Sequence, residues 1–152
     1  MKSSRYAMRG LVCAALLGGA ACSDDGGVGP RDLTVVAGSY TAEGPFGAIT
    51  FITTEAGSSE ETDWLARGAS IVLDLKADGT TGGRLYVPGA DEDGGDMDED
   101  LTGTWSLTNG RVALDHEADT FLRDMDYTLE GNRLKGEETF GGTTVRVELV
   151  RR

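Results

Sequence analysis

The sequence predicts an all-β fold: an antiparallel up-and-down meander of eight or nine strands that closes into a barrel. Three observations carry this. Stretches of alternating apolar and polar residues recur along the chain, and each is set off by Gly, Asn-Gly or Asp-Gly turns at short intervals. No connection between them is long enough for a crossover helix, so neighbours run antiparallel. Closing such a meander removes its exposed edges, which favours a barrel over an open sheet.

Taken in order, residues 1–21 read as a secretory signal peptide. Lys2, Arg5 and Arg9 make a basic start, and an apolar or small-residue run follows from Gly10 to Ala21. That run is about half the roughly 20 residues a spanning helix needs. Gly19-Ala-Ala-Cys22 resembles the lipobox of bacterial lipoproteins, in which the cysteine is diacylated and becomes the mature N-terminus. The resemblance makes Cys22 a lipidation site. Ordinary cleavage after Ala21 is the other reading, and a lone cysteine with no other use at that boundary favours the first. Ser23 after the cysteine permits outer-membrane sorting by the same resemblance, and the expected location is the outer membrane or its periplasmic face. Residues 22–31, polar and Gly-rich without periodicity, form a flexible tether, and the barrel domain occupies 32–152.

Within the domain, alternation places strands at 33–42 and 48–54, the second rich in β-branched and aromatic residues. The pattern breaks over 55–68, which reads as a loop with one helical turn at 62–67 and Trp64 as a plug or lid packing on the domain, a portal for a ligand being the alternative. Strands at 70–76 and 83–87 are joined through Asp78-Gly79, a dipeptide that readily takes the positive φ of a tight hairpin. An acidic loop spans 91–100. Strands then follow at 101–107, 111–114, 121–129, 133–140 and 143–150. In the last, Val145, Val147 and Leu149 face in, while Thr144, Arg146 and Glu148 face out.

On Gly38-Ser-Tyr40, Gly103-Thr-Trp105 and the Asp78-Gly79 and Asn109-Gly110 hairpins, the domain resembles the lipocalin-like (calycin-type) β-barrels found as small lipoproteins of bacterial envelopes. The resemblance implies a cup for a small apolar ligand. Tyr40, Phe51, Leu73, Trp105, Met125, Tyr127 and Val147 are the candidate lining. A barrel of eight strands either fills with side chains or holds one small ligand, and both readings stand. Gly103 is expected to leave the inner-face space that Trp105 fills.

Composition sets the remaining bounds. The 152 residues carry 14 basic and 26 acidic side chains; loss of the three basic leader residues leaves 11, a balance of −15. Such a surface disfavours nucleic acid and direct adsorption to anionic lipid, leaving the lipid on Cys22 as the membrane contact. Cys22 is the only cysteine beyond the leader, so no intramolecular disulfide is available to the mature chain. Asp91, Asp93, Asp96, Asp98 and Asp100 invite a calcium reading, but no register puts Gly at the sixth place and Glu at the twelfth, and a solvated loop is favoured. His116, the only histidine, lies in a polar connection and reads as a surface or turn residue. No catalytic set, metal site or cofactor motif emerges. The expected protein is an exported, lipid-anchored, non-enzymatic envelope barrel that binds a small apolar ligand. The alternative is a ligand-free barrel acting as a protein-interaction or inhibitor module.

Overall fold

A computed structural model describes residues 32–91 and 93–152; the leader, Cys22 and the tether lie outside the described residues. The chain opens with one helical turn, α1 (Leu33–Val36). Eleven strands follow: β1 (Gly38–Ala42), β2 (Ala48–Glu55), β3 (Ser58–Asp63), β4 (Ser70–Leu75), β5 (Thr80–Val87), β6 (Met97–Asp100), β7 (Gly103–Thr108), β8 (Arg111–His116), β9 (Asp126–Glu130), β10 (Arg133–Phe140) and β11 (Thr143–Arg151). Eight of them, β1, β4, β5, β7, β8, β9, β10 and β11, hydrogen-bond in sequence, and β11 returns to β1. The predicted antiparallel barrel is therefore closed.

The three further strands are extensions of that ring. β1 and β2 form one long strand interrupted at residues 43–47. The facing strand, β3 and β4, is interrupted at 64–69, so Ala42↔Ile71 and Thr50↔Asp63 belong to one continuous register. β6 and β7 likewise share one register along β5, through Arg84↔Asp100 and Thr81↔Gly103. The last strand serves both halves of the first: Thr41↔Val150 lies on β1, and Ile49↔Val147 on β2.

Period-two alternation positions the core. Ile71, Leu73 and Leu75 from β4, and Val145, Val147 and Leu149 from β11, all point inward and are buried. They meet Leu85, Val112, Leu114, Leu134 and the large side chains of Tyr40, Trp105 and Tyr127 in one cluster. Gly136 pairs with Tyr127 across β9–β10, and a Cβ there would lie 2.9 Å from the tyrosine ring. Its missing side chain is the space the ring occupies.

Four secondary-structure assignments need correction. Residues 33–36 form a helical turn rather than the start of a strand, because the Asp32 carboxylate accepts from the Thr34 amide at 3.0 Å and caps it. Residues 58–63, read as loop, are β3: six residue pairs with β2 hold a strand that buries almost nothing and so carries no apolar alternation. Part of the acidic loop is β6, tied to β5. Residues 120–123 form a turn, and the strand expected from 121 begins only at Asp126. Leu122 and Met125 there are buried at the mouth of the barrel.

Trp105 lies inside the core and donates its indole N–H to the Lys76 carbonyl at 2.8 Å, whereas Trp64 is half-buried. Truncating a large buried aromatic leaves a cavity and costs about 3–5 kcal/mol. Urea denaturation should show Trp105→Ala losing about that much stability, with Trp64→Ala losing clearly less. The reverse order would mean that β7 turns its other face to the core.

Candidate functional site

Six of the seven predicted lining residues sit inside the ring. Tyr40, Leu73 and Tyr127 have 0% of their surface exposed, and Met125, Val147 and Trp105 have 1%, 2% and 5%. The seventh, Phe51, is half-buried at the rim. Tyr40, Leu73 and Tyr127 therefore have no water-sized space beside them, and all six residues belong to one packed cluster.

Both ends of the ring are covered, and the same device holds each cover. At the end where β1 begins, α1 lies across the opening, and the Tyr40 hydroxyl donates to the Val36 carbonyl at 2.6 Å. At the opposite end, where β9 begins, the 120–123 turn lies across the opening, and the Tyr127 hydroxyl donates to the Leu122 carbonyl at 3.2 Å. Each tyrosine places its ring in the core and its one polar atom on a carbonyl that would otherwise be buried unmet. Burial pushes both phenols above the ordinary tyrosine range; at Tyr40 the nearby Arg151 opposes the shift.

Arg151 completes the first cover. The phase that turns Val145, Val147 and Leu149 inward also turns Arg151 inward, at the mouth of the barrel. Its guanidinium lies 5.9 Å from the centre of the Tyr40 ring and donates to the Val35 carbonyl at 3.1 Å and to the Ala37 carbonyl. The second cover carries an aromatic group: Phe51 lies tilted against Trp64 at 5.3 Å and edge-on to Phe121 at 5.4 Å. Arg67 sits 5.3 Å from the Trp64 ring, and the Trp64 indole N–H is buried without an acceptor among the described residues. Trp64 thus packs on the domain, against Phe51 and the core cluster.

His116 overturns its expected exposure: it is 2% exposed, in the inner phase of β8. Gly103 faces it across β7–β8, and a Cβ on Gly103 would fall 2.4 Å from the His116 Cα. The space that Gly103 leaves therefore admits the histidine strand, not Trp105. Nε2 lies 2.7 Å from the Thr120 hydroxyl, so His116 holds the second cover, while Nδ1 is buried without a partner among the described residues. A protonated ring would carry a donor at Nδ1 with nothing to receive it. Burial, and secondarily Arg123, accordingly hold the imidazole pKa below its usual range.

Three carboxylates of the acidic segment, Asp96, Asp98 and Asp100, are engaged by the chain itself. Asp96 accepts from the Tyr86 hydroxyl and the Gly89 amide, each at 2.9 Å. Asp98 takes both nitrogens of the Arg84 fork, which holds its pKa below the usual carboxylate range. Asp100 accepts from the Thr102 amide at 2.7 Å. Among the described residues no cluster of three or more acidic, His or Cys side chains is arranged to hold a metal ion.

The outer face of β8–β11 forms a shallow groove of ≈ 460 Å³ whose charges are matched. Arg146 meets Glu137 at 2.5 Å, Lys135 meets Glu130 at 2.7 Å, and Arg133 meets Glu148. Exposed pairs of this kind are each worth at most about 1 kcal/mol. They leave the face electrostatically quiet.

Because His116 has a lowered folded pKa, the unfolded chain takes up its proton first as pH falls, and stability drops with it. Thermal melts should show wild-type stability falling as pH goes from about 7 to about 5, across the unfolded histidine value near 6.5. His116→Gln should flatten that slope. An equal slope in the variant would place the pH dependence elsewhere.

Comparison with known protein families, with curated proteins and with solved structures found no match to this chain.

Proposed function

We propose that this chain is an exported, lipid-anchored, lipocalin-like barrel that works without catalysis and through its outer surface, as a protein-interaction or inhibitor module of the cell envelope. The observation that supports this is the packed interior. Tyr40, Leu73, Met125, Tyr127 and Val147, the side chains that would line a ligand cup, have at most 2% of their surface exposed. A cup would require the core to repack and a stapled cover to open. Overfilling a well-packed core by even a few methylenes typically costs about 1–3 kcal/mol, and a ligand brings many more. What the molecule offers a partner is its exterior, where the acidic balance keeps it soluble and repels anionic surfaces.

The address is tested on Cys22. Expressed in a bacterial host, the protein should partition into detergent, and Cys22→Ser should release it in soluble form. Equal solubility of the two would remove the lipid anchor from the account. The mode of action is tested with a fluorescent fatty-acid analogue. It should show no saturable uptake by the Cys22→Ser protein. One-to-one uptake that quenches Trp105 would restore the ligand-cup reading.

A further inference from the structure

We propose that the open edge of β3 receives one extended, basic segment of another protein as an added strand. The inference rests on the surface-acting reading above and names the surface and the partner chemistry. β3 pairs with β2 on one side, and among the described residues no strand pairs with it on the other. The bond from the Trp64 amide to the Ile49 carbonyl, 2.9 Å, sets the phase of the ladder. Ser58, Glu60 and Thr62 direct their backbone groups to β2, so Ser59, Glu61 and Asp63 direct theirs outward. Five of the six β3 residues are exposed. The result is a row of unanswered N–H and C=O groups at a two-residue repeat, the template that strand addition uses.

The flank of this edge selects the partner's charge. On the outer face a groove of ≈ 430 Å³ runs beside Glu61 and Asp63, with apolar walls from Pro45, Ala48, Leu65 and Ala66. Among the described residues Glu60 and Glu61 make no ion pair, and Asp63 accepts only from the Ala66 amide, at 3.2 Å. A lysine or arginine opposite Glu61 would lay its aliphatic stem along Leu65 and Ala66 and bring its charge to the two carboxylates. A second copy of this chain is a poor occupant. Two β3 edges brought together would set acidic residues against acidic residues, and like charges across a strand pair are destabilising. The same charges that bar self-association favour a basic strand.

The test uses the isotope-labelled Cys22→Ser chain and a capped twelve-residue peptide alternating Lys with Val, followed by NMR. Saturable shifts are expected at the amides of Ser59, Glu61 and Asp63. The same peptide with Glu in place of Lys should not bind. Neither should the Lys peptide N-methylated on alternate residues, since it cannot complete the ladder. Glu61→Gln with Asp63→Asn should weaken binding roughly ten-fold, the scale of two exposed charge pairs. Equal binding of the N-methylated peptide would reduce the effect to loose charge attraction and overturn strand addition, as would shifts confined to another face. Failure of the parent reading is separate: it appears as uptake of the fatty-acid analogue into the interior, whatever happens at β3.

Discussion

Closure by the final strand is the constraint on which the rest of the structure depends. β11 pairs with β10 along one side, and on the other with β2 and then, across the 43–47 interruption, with β1. Without that seam the sheet would have two long open edges, and the inward residues of β1 and β11 would face water. With it, a single ring encloses one core. The described domain lies beyond both cysteines of the chain, so packing and hydrogen bonding alone maintain this enclosure.

The seam also explains the covers. A closed ring of eight strands has two mouths, and apolar side chains at either mouth would stay wet unless something lay across them. Here local turns do so, and buried hydroxyls fasten them: Tyr40 to α1, and Tyr127 to the 120–123 turn. Arg151, the C-terminal residue of the closing strand, donates to the carbonyls beside α1. Ring closure and coverage of the first mouth are therefore one event. Between the two covers the inward-facing side chains pack against one another and form the core.

The architecture was legible because burial in a barrel imposes alternation, and alternation survives in the text of the chain. Ile71-Val-Leu-Asp-Leu75 and Val145-Arg-Val-Glu-Leu149 give their inward faces without ambiguity. The same rule extends one residue pair further to Arg151, so its inward place at the mouth could have been read by continuing the phase. β3 could not be read this way: Ser58-Ser-Glu-Glu-Thr-Asp63 buries nothing that would mark a face, and only its partner strand makes it a strand. His116 misled for a related reason. Polar neighbours on both sides suggested a loop, while its burial depends on the absent side chain of Gly103 on the adjacent strand and on Thr120 four residues later. Whether the barrel is filled or hollow depends on how side-chain volumes fit in three dimensions, which one-dimensional alternation does not encode.

The most direct test of this account is native-state hydrogen exchange along the closing strand. The Arg152 amide bonds to the Ser39 carbonyl at 2.9 Å and the Arg151 amide to the Asn132 carbonyl at 2.7 Å, so the Val150 amide, two residues before Arg152 and in the same phase, faces β1 across the seam. If closure organises the fold, Val150 and Glu148 should exchange only through global unfolding, with the same free energy as amides in the β10–β11 pair. Exchange at Val150 and Glu148 through a local opening, while β10–β11 stays protected, would show that the ring opens at its seam and that the core does not depend on it.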